Sequence, residues 1–190
     1  MKKIILLVAL AAISAITFAQ VEQKDLVFEN NSYSQVFETT VTPATQYLNA
    51  KQWIAKTFGS YKAVVQFEDE NAHKIILKGK VIEPYDGEVT ETTWFQDKVT
   101  YSFTMTIDIK NGKYRVKIED VRATVETKAT PKDNPMADPR ISNYEMSLED
   151  YINWNKRSSE FAFRREMHFK QKIVPMLNSL VKDINTVDDF

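Results

Sequence analysis

His73 and His168 are the only side chains in this sequence whose ordinary pKa lies close to neutrality, so acid–base chemistry near pH 7 would have to begin with one of them. His73 follows the acidic run Glu68-Asp69-Glu70 in the turn-rich segment EDENAH. A calcium site takes alternating oxygen ligands on a loop with a glycine at its sharp turn. EDENAH has neither and reads as a solvated turn. His168 falls with Arg164, Arg165 and Lys172 on the polar stripe of a helical pattern and is expected to be exposed. Other catalytic ingredients are scarce. The chain has no cysteine, hence no thiolate nucleophile, thiolate metal site or disulfide. No serine or threonine sits in a nucleophile elbow such as G-x-S-x-G, and four glycines make no phosphate-cradling loop. The carboxylate pairs Glu119-Asp120, Glu149-Asp150 and Asp188-Asp189 are sequence neighbours that point apart, unlike a glycosidase dyad. The expectation is a chain with no catalytic residue, no cofactor and no metal.

Two groups remain that suit binding. Glu166 and Lys170 have the order and i,i+4 spacing of a favourable helical pair. On a sheet-facing stripe they would form a polar anchor inside a pocket. Where the helix overhangs the sheet edge they would be a surface ion pair worth a few tenths of a kcal/mol. The rarity of buried charge favours the surface pair. The second group is aromatic: Tyr144, Tyr151, Trp154, Phe161 and Phe163, beside a proline-bearing loop at 129–146. Long loops often carry binding elements, and aromatics anchor interfaces. Packing of the loop against a helix is the plainer use. The candidate binding residues are therefore Tyr144, Tyr151, Trp154, Phe161, Glu166 and Lys170.

The chain start, MKKIILLVALAAISAITFAQ, sets the compartment. Two lysines precede an apolar and small-residue run from Ile4 to Ala19, with Thr17 and Ala19 placed like the small residues before a cleavage site. This is the layout of a secretory signal peptide cut near Ala19–Gln20. The run falls short of the ~20 residues a spanning helix needs, and no later segment is apolar enough to span. Export to the periplasm or beyond is the expectation. Processing takes Lys2 and Lys3 from the 25 basic residues and none from the 26 acidic ones, leaving a formal charge of −3. A mildly acidic chain offers no electrostatic pull on nucleic acid.

The elements that must position these residues follow from periodicity. Residues 20–32 read as a polar N-terminal segment without regular structure, and 33–190 as one domain. SYSQVFETTV reads as a strand. Thr42-Pro43 is a good N-cap with proline at the first helical position, and Gly59 is placed as a left-handed C′ residue. Between them Tyr47, Ala50, Ile54 and Phe58 share one helical face, while Asn49, Gln52 and Lys56 lie on the other. KAVVQFE and KIILKGKVIE are strand-like, and EPYDGEVTET reads as a loop. From Trp94 to Lys128 the chain alternates almost without fault and turns on Asn111-Gly112, the signal of a hairpin with a type I′ turn. That turn pairs Ile109 with Tyr114, Ile107 with Val116, Met105 with Ile118 and Asp108 with Arg115. Beyond Ile118 the apolar set moves from even to odd positions, so a β-bulge is expected at Glu119-Asp120 to keep one face apolar. Ser147 and Asp150 resemble a capping box that starts the last helical region. There Phe169, Ile173, Met176, Leu177, Leu180 and Ile184 form one stripe, and Pro175 falls on the polar side, where it bends the helix without ending it. The order is β-α-β-β-β-β-α. It makes a two-layer α+β domain, a curved antiparallel sheet with both helices on its apolar face.

QYLNAKQWIAKTFGSYKAVVQFEDENAHKIILKGK and MTIDIKNGKYRVKIEDV resemble an exported domain of unknown function with a TBP-like fold, found in Bacteroidota. The helix bearing Tyr47 and Trp53-Ile54, the Glu68-Asp69 turn, the Lys78-Gly79 ending and the Gly112-Lys113-Tyr114-Arg115 hairpin carry the likeness. It covers about residues 33–125, and the tail from Pro131 has no counterpart in it. The resemblance implies a Gram-negative host, export and a β-α-β4-α topology, and it brings no catalytic residues. It does not imply DNA binding, because fold does not imply function. A minor-groove binder needs apolar wedges framed by Lys and Arg. Here the bare face carries Thr100, Ser102, Thr104, Thr106 and Asp108 beside Arg115, Lys117, Arg122 and Thr124, with acids among the bases. The leading expectation is a non-enzymatic envelope module that binds a protein or a small ligand, with a homodimer through the bare face as one form. The alternative is a periplasmic hydrolase whose site is not recognisable from sequence.

Overall fold

In a computed structural model, which describes residues 20–22, 26–29, 31–154 and 159–187, the expected order is kept with additions. Strand β1 (Tyr33–Glu38) precedes helix α1 (Pro43–Phe58), a short helix α2 (Tyr61–Val64) and strand β2 (Val65–Asp69). The long strands β3 (Lys74–Val89), β4 (Thr93–Lys110) and β5 (Lys113–Pro131) follow, then β6 (Arg140–Ser147), a short helix α3 (Leu148–Ile152) and α4 (Ser159–Ile184). All strand pairs are antiparallel, in the order β1-β5-β4-β3-β2, and β6 also pairs with β5.

Thr42 caps α1 by accepting from the Thr45 amide, and Gly59 ends it at φ 74°. Tyr47, Ala50, Trp53 and Ile54 are buried on the side of α1 that meets the sheet and α4. The odd-numbered residues of β4, from Val99 to Ile109, are all buried. With Tyr114, Val116 and Ile118 of β5 and Phe169, Ile173, Leu177 and Leu180 of α4 they form one core. Helix α4 runs through the exposed Pro175.

The hairpin register matches the alternation: Ile109 faces Tyr114, Ile107 faces Val116, Met105 faces Ile118 and Asp108 faces Arg115. The turn differs from expectation. Gly112 has φ 77°, whereas Asn111 is not among the residues with positive φ. A type I′ turn needs both central residues left-handed; a left-handed residue at the second position alone is the mark of type II, where glycine meets the demand by itself.

The bulge lies where the parity slip required it. Ser102 pairs with Arg122 and Thr104 with Glu119, so Phe103 stands opposite two residues, Asp120 and Val121. Asp120 carries the left-handed backbone, at φ 51°. This position also divides the outer edge of β5, with β1 pairing up to Ile118 and β6 pairing from Arg122. A β-branched residue tolerates left-handed backbone poorly, so Asp120→Val is expected to cost about 1–2 kcal/mol and Asp120→Gly to cost nothing or stabilise slightly, read from urea unfolding.

Four expectations need correction. The segment at 20–32 does not lie outside the core: Val21 and Leu26 are buried, and the Val21 backbone exchanges two hydrogen bonds with the Asn178 side chain. EPYDGEVTET is largely strand, because β3 bulges between Glu83 and Asp86 and re-pairs with β4 as far as Val89. The proline-bearing loop at 129–146 is shorter than expected. Strand β5 extends to Pro131 and β6 begins at Arg140, since extended backbone needs only a partner edge and β5 supplies one. Lys62 to Val64 of KAVVQFE are helical.

Candidate functional site

The bare face of the sheet is electrostatically self-contained over most of its area. Asp108 receives Arg115 Nη2 at 2.6 Å and Lys74 Nζ at 3.7 Å. Lys117 meets Glu119 and Arg122 meets Glu145, each at 2.6 Å. Thr104, Asp108 and Lys117 remain partly exposed. The mixture of acids and bases is a set of pairs within and across strands, each exposed enough to be worth little in stability. Paired in this way, those bases present no continuous positive stripe.

A concave feature with an apolar floor lies away from this face. A cavity of about 400 Å³ opens between the N-terminal segment, α3 and α4. Phe28, Leu148, Ile152 and Phe169 supply its apolar lining, and Asn31, Glu149, Asn153, Glu166 and Lys170 its polar rim. Phe169 comes from the α4 stripe and Phe28 packs edge-on against it, with ring centroids 5.2 Å apart. Asn31 has φ 59°, a conformation asparagine tolerates, and its Nδ2 donates to the Val121 carbonyl beside the bulge. Its Oδ1 is buried with no hydrogen-bond partner among the described residues.

Glu166 and Lys170 form the expected i,i+4 pair, at 2.8 Å. Their side chains are 45% and 19% exposed, so the pair neither lies in the core nor stands fully in solvent. It lines this cleft rather than a pocket between helix and sheet.

The aromatic group divides. Tyr151 is buried and packs edge-on against Tyr101, which makes it a core residue rather than a free anchor. Tyr144 on β6 meets Trp154 with ring centroids 5.1 Å apart. Phe163 is exposed, off the buried stripe. The side chain of Phe161 lies outside the described residues. Arg165, expected on the polar stripe, instead organises the group. Its guanidinium lies over the Tyr151 and Trp154 rings and donates to both of their carbonyls, satisfying the end of α3. Tyr144, Tyr151 and Trp154 thus form one cluster, while Glu166 and Lys170 belong to the cleft.

The histidines are also better covered than expected. His73 stacks edge-on against Tyr47. The His168 side chain is 28% exposed, with Nδ1 3.9 Å from Oε1 of Glu83 on β3. Among the described residues, no group of three or more His, Asp or Glu side chains is arranged to hold a metal.

Buried phenols give the molecule an alkaline limit. Burial pushes Tyr101, Tyr114 and Tyr151 up, and Tyr114 reaches about 12, its rise restrained by the hydrogen bond to Asn185. A phenol held neutral by the fold contributes stability in full below its unfolded value of 10 and loses it as pH climbs through the folded value. Urea midpoints are therefore expected to hold below pH 10 and to fall between pH 10 and 12. Tyr114→Phe should flatten part of that fall.

Residues 22–124 match the family described as a domain of unknown function (DUF4468) with TBP-like fold. The chain belongs to this family. The DUF4468 match begins ahead of β1, in the segment that buries Leu26, and ends within β5. Among solved structures, a DUF4468 family protein from Bacteroides ovatus shares 15% identity at a TM-score of 0.50, over 87% of this chain and 94% of its own. A TBP-like protein from Parabacteroides distasonis shares 18% identity at a TM-score of 0.49, over 84% of this chain and 94% of its own. At 15% identity the first likeness concerns the fold alone, which is TBP-like α+β. No curated protein matches the chain. Among the described residues of this DUF4468 chain, no helix is long and apolar enough to cross a membrane.

Proposed function

We propose that this chain is an exported envelope protein that acts by binding, without catalysis, a small amphipathic ligand in the cleft between the N-terminal segment, α3 and α4. The observation that carries the proposal is the cavity of about 400 Å³ with an apolar floor and convergent polar groups on its rim. That size and lining suit a small organic ligand. The apolar body of the ligand rests on Phe28, Ile152 and Phe169. Its polar head meets the rim, where Asn31, Glu149 and Asn153 supply donors and acceptors. The Glu166–Lys170 pair fixes the orientation of the head. Export is supported by the lysine-then-apolar pattern of residues 1–19.

Native mass spectrometry of protein purified from its own envelope tests this. A bound small molecule is expected, and Ile152→Trp, which fills the cleft, should displace it. A co-purifying protein with no small molecule, or a ligand retained in Ile152→Trp, would overturn the reading. Glu166→Ala separates binding from stability. It should cost less than about 1 kcal/mol in urea unfolding, because the Glu166 side chain is half-exposed. It should nevertheless lower ligand occupancy.

A further inference from the structure

The outer edge of β3 is half used. Strand β2 pairs only with Lys74 to Leu77. From Lys78 onward β3 is paired to β4 alone among the described residues, so one row of its backbone donors and acceptors has no strand partner. The chain before β2 cannot continue the pairing, because residues 61–64 coil into α2. Lys78, Lys80 and Ile82 project from this edge on the bare face, and all three are exposed.

These lysines differ from their neighbours. Lys74, Arg115, Lys117, Arg122 and Lys128 on the same face each lie within 4.0 Å of a carboxylate. Lys78 and Lys80 have no acidic partner among the described residues. Lys110 and Lys113, flanking the hairpin turn on the same face, resemble them in this. Edge lysines discourage indiscriminate strand pairing, and they do so selectively. A second copy aligned antiparallel about Lys80 would set Lys80 against Lys80, a like-charge contact that opposes it. A strand with acids at alternate positions would neutralise both lysines.

We propose that β3 from Lys78 to Glu83 is a docking edge for an extended acidic segment of another protein. The segment adds a strand in line with β2 and places carboxylates, at alternate positions along one of its faces, against Lys78 and Lys80. Backbone hydrogen bonds supply affinity and the alternate side chains supply selectivity. Pro84 has no N–H to donate, and the bulge after Glu83 closes the slot.

The test uses a fluorescein-labelled decapeptide of alternating Glu and Val, titrated into the full protein and read by anisotropy, with hydrogen exchange of the complex. Saturable, salt-sensitive binding is expected, with protection gained at residues 78–83. The Lys78→Glu/Lys80→Glu variant should bind about tenfold more weakly and should instead take up the alternating Lys and Val peptide. Should the double variant prove unstable, Lys80→Gln gives the same ordering with a smaller shift. Affinity unchanged by the substitutions, protection elsewhere in the molecule, or no saturable binding would each overturn the proposal. So would dimerisation of the protein itself through β3, which would assign the edge to a second copy.

Discussion

Phe169→Ala is expected to lower unfolding free energy by about 3–5 kcal/mol, the largest effect of any single change considered for this molecule. The ring is 1% exposed and stands where three parts of the fold meet. It touches Tyr101 of the sheet edge-on at 5.1 Å and Phe28 of the N-terminal segment at 5.2 Å, and it belongs to α4. Three elements held by separate contacts collapse poorly onto a shared void, so the cavity cost adds to the lost burial. Phe169→Leu keeps most of the volume and should lose less than half as much. Urea unfolding monitored by circular dichroism measures both. A loss under about 1 kcal/mol for Phe169→Ala would mean that the segment bearing Phe28 does not pack on α4, and the floor of the cleft would go with it.

Asn185→Ala follows, at about 2–3 kcal/mol. Asn185 is 5% exposed and makes three hydrogen bonds. Its Nδ2 donates to Tyr114 Oη at 3.0 Å and to the Val181 carbonyl at 2.7 Å, and its Oδ1 accepts from Thr39 Oγ1 at 2.8 Å. One amide therefore joins the end of α4 to β5 and to the chain after β1. Truncation leaves the Thr39 and Tyr114 hydroxyls in a site that admits little water, and a buried group without its partner costs more than the bond contributed. Tyr114→Phe in the Asn185→Ala background removes the buried orphan hydroxyl and should recover part of the loss. Simple additivity in that double variant would sink the network account.

The contrast between these residues and the β4–β5 hairpin shows what kind of information each rests on. The hairpin pairs, the bulge at Asp120, the Thr42 and Ser147 caps and the C′ glycine at position 59 were all legible, because each depends on residues within a few positions of one another. Period-two alternation assigns a face, a tight turn sets the register, and a slip in parity demands an extra residue. Sequence order also identified Glu166–Lys170 as an ion pair. The cleft those residues line was not legible, because Phe28 and Asn31 reach it from more than a hundred residues away.

Local pattern also misplaced some residues for a physical reason. Arg165 and Asn49 sit on faces that read as polar, and a polar face is ordinarily a solvated one. Arg165 instead lies across two aromatic rings and bonds the carbonyls that end α3, and Asn49 Nδ2 bonds the carbonyls of Ile184 and Thr186 at the end of α4. Helix ends leave carbonyls that need donors, and which distant side chain supplies them depends on how the helices dock. The same holds for β6 and the far half of β3. A short polar stretch becomes a strand when a neighbouring edge is within reach, whatever its own propensity.

The sequence by itself therefore determined the α+β class, the apolar face of the sheet, the register of its central hairpin and the position of its bulge, because near-neighbour sterics and hydrophobic periodicity act along the chain. Only the tertiary structure decided that the polar face cancels most of its own charge, that Lys78 and Lys80 stand apart on a half-paired edge, and that a cleft forms beside Phe169. Those outcomes depend on side chains brought together across long separations in sequence, where packing and electrostatics, and not periodicity, select the partner.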